Sequence, residues 1–249
     1  MNTHLNTLQK KLQQLQIEVF VTDNQITIHY NQQKLILIFS NDALLSTNSN
    51  VLPIDYLITN SDKIVYFVQS KLHLNKTVYA RNCTIKKIDK LTASHFLNAY
   101  HFLNSANSAY NYGLFYADEL LCVATFSKGR KMNRLLEHER SFELIRYCTK
   151  GGITVTGGLS KIIKHFYIEK NPGDIMTYID KQFSDGKSFI KTGFKLHSET
   201  YPNYFLINKK TFERILIKEN ETFDENKFYR TSNFGNLKLV YTPKKITSS

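Results

Sequence analysis

The chain has 249 residues, of which 33 are Lys or Arg and 21 are Asp or Glu, so its formal net charge is +12. Apolar residues make up 42% of the chain, which is enough to form a core and excludes wholesale disorder. There is no run of about 18 apolar residues, and the first residues lack the layout of a secretion signal. We therefore expect a folded cytoplasmic protein, with one full domain and a smaller partner domain.

The first 76 residues predict a small α+β domain. Its predicted elements are a helix at 4–16, strands at Glu18–Val21, Gln25–Tyr30 and Lys34–Ser40, a polar loop at Ser46–Pro53, and a helix from Ser61 to about His73. Asp55 together with Gln69-Ser70-Lys71 imitates a degraded nuclease motif. A degenerate nuclease remnant is therefore one hypothesis for this domain, but the helical pattern around Gln69 argues against active nuclease chemistry.

Residues 77–249 predict a larger domain with strands and helices in alternation. The predicted strands are Thr77–Ile88, Tyr112–Tyr116, Leu120–Phe126, Phe142–Cys148, Asp174–Asp180, Phe194–Glu199 and Tyr204–Ile207. The predicted helices are Thr92–Leu103, capped by Thr92, then Leu159–Tyr167 and Asp185–Thr192. Ala117-Asp118-Glu119 is typical of a hairpin turn, and Lys150–Gly158 is predicted to be a glycine-containing loop.

The positive charge is concentrated in the larger domain. Residues 77–249 hold 27 basic and 16 acidic residues, against 6 and 5 in residues 1–76. This excess favours a polyanionic partner, above all nucleic acid, although charge that serves only solubility is the alternative. The candidate phosphate contacts are Arg81, which lies near Tyr79, and four residues of the loop Ser127–Arg134, namely Lys128, Arg130, Lys131 and Arg134.

The cysteines and histidines do not indicate a metal centre. Cys83, Cys122 and Cys148 are odd in number and lack paired spacing, which is typical of buried thiols in a reducing compartment. The histidines of the larger domain other than His101 show no ligand spacing with cysteines or carboxylates. No metal site is therefore predicted.

The order of elements from Tyr112 to Ile207 resembles the core of the GNAT acyltransferase fold. The run Ile175–Asp180, followed by Ser184-Asp185-Gly186 and by Gly193-Phe194, looks like a segment of phage Mom-type DNA adenine modification proteins, which are GNAT-like. Tyr100-His101-Phe102 also falls where that group has a His-aromatic pair. The resemblance implies an α+β fold, with a mixed and mostly antiparallel sheet flanked by helices.

A wider span, about Thr77–Tyr241, is similar to the C-terminal half of phage and intron homing-endonuclease-like proteins. The matching segments include Tyr79–Cys83, Thr154–Lys164, Pro202-Asn203-Tyr204 and Phe234–Lys238. In that group a Vsr-like nuclease domain commonly precedes this half. Residues 1–76 depart from the pattern, because they show no convincing nuclease motif.

The GNAT resemblance implies acetyl-CoA or a related acyl-CoA as cofactor. In that fold the diphosphate lies on free N–H groups at a helix N-terminus, which here corresponds to Gly157, Gly158, Leu159, Ser160 and Lys161. The two glycines would let the ligand approach the backbone, and Lys161 would add a positive charge. The usual GNAT pattern Q/RxxGxG/A is absent, so the alternative is that the glycines only shape a loop and a helix cap.

The candidate catalytic residues are Asp180, His101, Tyr178 and Ser184. Asp180 follows a predicted buried strand, where a desolvated carboxylate could orient an amine or accept its proton. A neutral His101 could act as a base. The alternatives are structural: Asp180 as a turn or helix cap, Ser184 as a capping residue, and His101 as an ordinary structural histidine.

The sequence leaves three functions open. The first is a GNAT-like transferase that modifies a nucleic-acid base amine, of phage or mobile-element origin. The second is a non-catalytic GNAT-fold module that binds DNA, and the third is an ordinary small-molecule or protein N-acyltransferase. Convergence of His101, Asp180 and the Gly157–Lys161 turn on one pocket would favour the first.

Overall fold

The computed structural model describes residues 1–41 and 50–243, and the chain divides into two compact units. The first unit consists of residues 1–73, 179–185 and 199–236, and the second of residues 74–178, 186–198 and 237–249. This arrangement differs from the predicted division into 1–76 and 77–249. The reason is that two later segments make their contacts in the first unit: Gln182 donates to the Val51 carbonyl, and Arg214 pairs with Asp55.

The first unit opens with the elements α1 (Asn2–Gln13), β1 (Glu18–Thr22), β2 (Gln25–Tyr30), β3 (Gln33–Phe39), β4 (Val51–Leu52), α2 (Ile54–Thr59) and α3 (Ser61–Lys71). The predicted N-terminal helix, the three strands and the helix from Ser61 are confirmed. Of the predicted polar loop Ser46–Pro53, residues 46–49 lie outside the described residues. Val51 and Leu52 form a strand parallel to β3, because both side chains are buried in the core.

The second unit continues with β5 (Lys76–Tyr79), β6 (Thr84–Lys87), α4 (Lys90–Tyr100), β7 (Tyr110–Tyr116), β8 (Glu119–Phe126), β9 (Ser141–Thr149), β10 (Ile153–Thr156), α5 (Gly158–Lys170), β11 (Asp174–Asp180), α6 (Lys187–Lys191) and β12 (Lys195–Glu199). The remaining strands are β13 (Tyr204–Asn208), β14 (Arg214–Ile217), β15 (Phe228–Ser232) and β16 (Asn236–Tyr241). Strands β13, β14 and β15 form a three-stranded antiparallel sheet in the first unit.

The main sheet has seven strands in the order β12-β16-β11-β9-β8-β7-β6. Strands β6 to β9 pair antiparallel in sequence order, whereas β11 runs parallel to β9. Helix α5 packs on this sheet through Phe166, whose ring stacks on Phe126 at 3.8 Å, and α4 packs through Phe96 and Leu97 near Val123. The predicted mixed, mostly antiparallel sheet with flanking helices is confirmed.

Several predicted elements differ from the structure in their bounds or in their capping residue. The predicted strand Thr77–Ile88 is two strands separated by a 3₁₀ turn at Ala80–Asn82, and the predicted glycine loop contains β10, which pairs parallel with β5. Helix α4 is capped by Asp89 rather than by Thr92, because the Asp89 carboxylate accepts the Thr92 N–H at 2.8 Å. The predicted hairpin is confirmed, with Ala117 and Asp118 both at positive φ.

Within residues 1–41 and 50–243, no helix is long and apolar enough to cross a membrane. The three cysteines are buried and are not joined by disulfides, as predicted.

Candidate functional site

The feature that distinguishes the second unit is the separation of β9 and β11. These neighbouring parallel strands pair at only three positions, Ser141–Glu143 with Asp174–Met176, although β9 continues to Thr149 and β11 to Asp180. At the point of separation the buried Thr177 hydroxyl donates to the Leu144 carbonyl at 2.9 Å. Towards their C-terminal ends the two strands therefore leave backbone groups that do not pair with each other.

The paired ends of these strands are fastened by Arg134. Its Nε donates to Asp174 at 2.8 Å and its Nη2 to the Ser141 hydroxyl at 3.2 Å, and Asp174 is 2% exposed. Because Ser141 and Asp174 are register partners, this arginine holds the start of the parallel pair together. Arg134 was predicted to contact phosphate, but its guanidinium is instead engaged with a buried carboxylate, which needs a cationic partner to be stable.

Of the other basic residues in the loop Ser127–Arg134, one forms an ion pair and two do not. Arg130 pairs with Glu143 at 3.1 Å and exchanges backbone hydrogen bonds with Ser141. Lys128 and Lys131 are exposed and form no ion pair with any residue that the structure describes. These two lysines are thus the members of the predicted set that are best placed to meet an external anion.

Helix α5 begins beside the separated half of β9. Its N-cap is Gly157, at a φ of +79°, which favours glycine, and no acidic residue occupies its first turn. The Tyr147 hydroxyl of β9 lies against this helix start, 2.7 Å from where a Cβ atom on Gly158 would stand. The Ser160 hydroxyl lies 3.4 Å from that of Thr192, just after α6. These two contacts place the N-terminus of α5 between the C-terminal half of β9 and the end of α6.

The two glycines at this helix start have different functions. A Cβ atom on Gly158 would lie 2.7 Å from the Tyr147 hydroxyl and 3.1 Å from Val155, so this glycine is needed for packing of the helix on the sheet. A Cβ atom on Gly157 would meet only Ala80, at 3.7 Å, so the positive φ is what requires glycine there. Packing against β9 is thus one requirement for glycine at position 158, and the approach of a ligand to its backbone stays a prediction.

Lys161 does not face an open anion site. Its ammonium group donates to the carbonyl of Ala80 at 2.8 Å and also to that of Cys83. These bonds join α5 to the 3₁₀ turn at Ala80–Asn82. The ammonium group that was predicted to contact phosphate is thus engaged with the protein's own backbone.

Asp180 lies in a network within the first unit. One carboxylate oxygen accepts the Gln182 N–H at 2.9 Å, and the other accepts the Asn233 side-chain amide at 3.0 Å. Its carbonyl accepts the N–H groups of Phe183 and Ser184. Burial raises the pKa of Asp180, against the opposing effect of these hydrogen bonds. The contacts agree with the structural alternative, in which Asp180 holds the turn after β11.

The Asn233 amide cannot turn to suit a different neighbour. Its oxygen already accepts the N–H groups of Asn203, at 2.8 Å, and Gly235, at 3.0 Å, so its NH₂ group is fixed towards Asp180. In Asp180→Asn, one of the two hydrogen bonds must become a contact between two donors. We expect the free energy of unfolding to fall by about 1–3 kcal/mol, measured by urea denaturation.

The same substitution should change the pH dependence of stability. Because the folded pKa of Asp180 lies above its ordinary value of 3.8, its contribution to stability is complete below that value and is lost as pH rises through the folded pKa. Asp180→Asn should remove this decrease. The control is Asp224→Asn, since exposed Asp224 accepts the N–H of Asn226, two residues on, in the same kind of turn. Equal stability of the two variants would contradict the network.

The other predicted catalytic residues have the following positions. His101 ends α4, and its Nδ1 accepts the Leu103 N–H at 3.1 Å, so a neutral ring carries its proton on Nε2. Within β11, only Tyr178 is exposed, at 41%. Asp180 and Ser184 belong to the first unit, whereas His101, Tyr178 and the turn Gly157–Lys161 belong to the second.

The supposed nuclease residues have structural partners. Asp55 is 1% exposed at the start of α2 and forms a two-point ion pair with Arg214, one bond of which measures 2.9 Å. Gln69 and Lys71 lie on helix α3, not on a strand beside Asp55. This contradicts the interpretation of these residues as a nuclease motif. Among the described residues there is also no group of His, Cys, Asp and Glu side chains that could hold a metal ion.

No family model matches the sequence, and no curated protein matches it. Similar solved structures include Naa50 of Arabidopsis thaliana in complex with the bisubstrate analogue CoA-Ac-MVNAL, at 12% identity and a TM-score of 0.43, covering 65% of this chain and 99% of that one. The ribosomal-protein-S18-alanine N-acetyltransferase of Escherichia coli is similar at 8% identity and a TM-score of 0.42, covering 67% and 97%.

A GNAT family acetyltransferase from Elizabethkingia anophelis with acetyl-CoA bound is also similar, at 12% identity and a TM-score of 0.38, covering 65% of this chain and 99% of that one. Similarities at this level leave the activity of this chain to be argued from its own residues.

Proposed function

We propose that this chain is a GNAT-type N-acyltransferase that takes its acyl group from acyl-CoA, bound where β9 and β11 separate. The observation that carries the proposal is that two neighbouring parallel strands pair at three positions and then diverge, and that Tyr147, on the separated part of β9, lies against the start of α5. An extended pantetheine arm offers amide groups that can bind the unpaired edge of β9. A diphosphate suits the first-turn N–H groups of α5.

The residues present at the start of α5 fit an anionic group. The helix has 13 residues, its first turn lacks acidic side chains, and the space beside Gly157 is open apart from Ala80. The segments of the second unit contain 21 basic and 8 acidic residues, whereas those of the first contain 12 and 13. Gly157, Gly158 and Ser160 would hold the diphosphate through backbone N–H groups, without help from Lys161.

When bound, acyl-CoA would supply an acyl group activated as a thioester. For the proton that the leaving thiolate requires, we assign the Tyr178 hydroxyl, since it is the exposed side chain on the separated part of β11. Asp180, with both carboxylate oxygens hydrogen-bonded, would fix the end of the same strand rather than take a proton.

For the acceptor we propose an amine on a nucleic-acid base, in DNA. The support is electrostatic: the charge excess belongs entirely to the second unit, and Lys128 and Lys131 are exposed there without ion-pair partners among the described residues. A small-molecule or protein amine fits the donor site equally well, and a DNA-binding module without catalysis is the remaining alternative.

The full-length protein should be incubated with acetyl-CoA and, separately, duplex DNA, single-stranded DNA, RNA, spermidine and an N-terminal peptide. Release of free thiol measures transfer, and mass spectrometry of digested nucleosides identifies the product. A nucleoside adduct supports the complete proposal. Transfer to spermidine or peptide alone supports acyl transfer and rejects the nucleic-acid acceptor, and DNA binding without acetyl-CoA binding rejects the enzyme.

Ser160→Asp tests the position of the donor. An acidic residue in the first turn of α5 stabilises the helix by about 0.3–1 kcal/mol but repels a diphosphate. We expect acetyl-CoA to bind about tenfold more weakly or worse, while the unfolding temperature stays level or rises. Calorimetry measures the affinity for acetyl-CoA, and a thermal melt measures the unfolding temperature.

The matched control is Leu91→Asp, which adds the same charge to the exposed first turn of α4 in the same unit. Its acetyl-CoA affinity should equal that of the wild type. Equal losses in both variants would indicate a general charge effect, and no loss in Ser160→Asp would exclude the start of α5 as the diphosphate site.

A further inference from the structure

We infer that Tyr79 and Arg81 form the nucleotide end of the donor site, with Arg81 binding the 3′-phosphate of CoA; this inference rests on the proposed function. The Arg81 guanidinium carbon lies 5.0 Å from the centroid of the Tyr79 ring, and Tyr79 is 50% exposed. Arg81 makes no ion pair with any residue in the described part of the chain. The guanidinium thus lies over one face of an exposed tyrosine ring, and the cation and the other face of the ring adjoin each other.

This pair is held next to the first turn of α5 by three contacts within the second unit. Tyr79 ends β5 and pairs with Thr156, the residue directly before Gly157. Ala80, between Tyr79 and Arg81, is the nearest neighbour of the open space at Gly157. Lys161 of α5 holds the carbonyls of Ala80 and Cys83. The turn that carries Arg81 is therefore fastened to the helix start from both of its ends.

The chemistry of the pair matches the part of CoA that adjoins the diphosphate. Next to the diphosphate CoA carries adenosine, which offers an aromatic base, and a ribose 3′-phosphate, which offers a doubly charged oxyanion. A tyrosine ring can stack on the base, and the fork of donors on arginine suits a phosphate better than a lysine ammonium does. Lys161 is engaged with backbone carbonyls, whereas Arg81 forms no ion pair with any residue that the structure describes.

Lys86 provides a matched control in the same unit. Its ammonium lies 5.0 Å from the centroid of the Phe115 ring, so it forms the same type of exposed cation–aromatic pair. Lys86 also pairs with Asp118 at 3.5 Å and lies on β6, after the turn that Lys161 holds. Removing its charge changes the net charge by the same amount as removing that of Arg81.

The experiment compares CoA with dephospho-CoA, which lacks only the 3′-phosphate, by calorimetry on the full-length protein. We expect the wild type to bind CoA about tenfold more tightly. Arg81→Gln should weaken CoA binding to the level of dephospho-CoA and leave dephospho-CoA binding unchanged. Tyr79→Leu should weaken both ligands, and Lys86→Gln should leave both at the wild-type level.

Different failures have different meanings. If the wild type binds both ligands equally, or if Arg81→Gln and Lys86→Gln behave alike, the inference is overturned while the proposed function stands. If Arg81→Gln lowers the affinity for duplex DNA and not for CoA, the pair is a nucleic-acid contact and the inference is again overturned. If the wild type binds neither ligand at millimolar concentration, the proposed function itself fails.

Discussion

Replacing Arg214 by methionine should lower the free energy of unfolding by about 3–5 kcal/mol. The substitution leaves the Asp55 carboxylate buried at 1% exposure without its two-point partner. The guanidinium also lies 4.1 Å from the Tyr56 ring centroid and 5.2 Å from that of Phe205, so the aromatic rings lose a cation as well. Urea denaturation followed by circular dichroism measures the loss.

A double variant separates the cost of the stranded charge from the lost packing. Asp55→Asn combined with Arg214→Met removes the uncompensated carboxylate, so it should be more stable than Arg214→Met alone. Lys210→Met is the control for loss of an exposed positive charge in the same unit, and it should cost less than about 0.5 kcal/mol. A loss below about 1 kcal/mol in Arg214→Met would show that the pair contributes little.

Tyr178→Phe should lower kcat for acyl transfer by about 10²-fold, the usual scale for loss of a general acid. The substitution removes only the hydroxyl from an exposed ring on β11, so the fold and the affinity for acetyl-CoA should stay at the wild-type level. Steady-state kinetics gives kcat, and calorimetry gives the affinity. A lower kcat with an unchanged affinity for acetyl-CoA would distinguish a proton donor from a residue that only packs.

Tyr201→Phe is the matched control, because Tyr201 is a highly exposed tyrosine in the other unit. Its kcat should equal that of the wild type. If Tyr178→Phe retains full activity, Tyr178 is not the proton donor. If it loses affinity and rate together, the hydroxyl contributes to holding the donor instead.

The parts of the fold that could be predicted from sequence are those fixed by neighbours in the chain. The apolar stripe of α5, the buried strand β11 and the turn at Ala117 and Asp118 each follow from residues within one element. The start of α5 is a candidate anion site because of the resemblance to the GNAT fold and of one local signal, a glycine before a helix.

The contacts that decide the site could not be predicted, because they join distant residues. Arg134 meets Asp174 across 40 positions, Lys161 meets Ala80 across 81, and Arg214 meets Asp55 across 159. In the sequence each of these basic residues is indistinguishable from a solvent-exposed charge. Two of them were accordingly assigned to phosphate, although each is held by a group of the protein itself.

Gly158 is a second case in which a contact with another element could not be predicted from the neighbouring sequence. Its sequence context, a second glycine before a helix, suggests an approach path for a ligand. The distance of 2.7 Å between its missing Cβ and the Tyr147 hydroxyl shows that the side chain is excluded by β9. We expect any larger residue at this position to disturb the packing of α5 before it affects a ligand.

The three-segment composition of the first unit has a consequence for the order of events during synthesis. Its N-terminal 73 residues leave the ribosome long before residues 199–236, which supply Arg214 and the strands β13 to β15. Until then Asp55 has no cationic partner and the unit cannot be completed. The second unit also waits for its final strand, β16, at Asn236–Tyr241. The first unit therefore stays incomplete until Asn236 has been made, and the second until Tyr241.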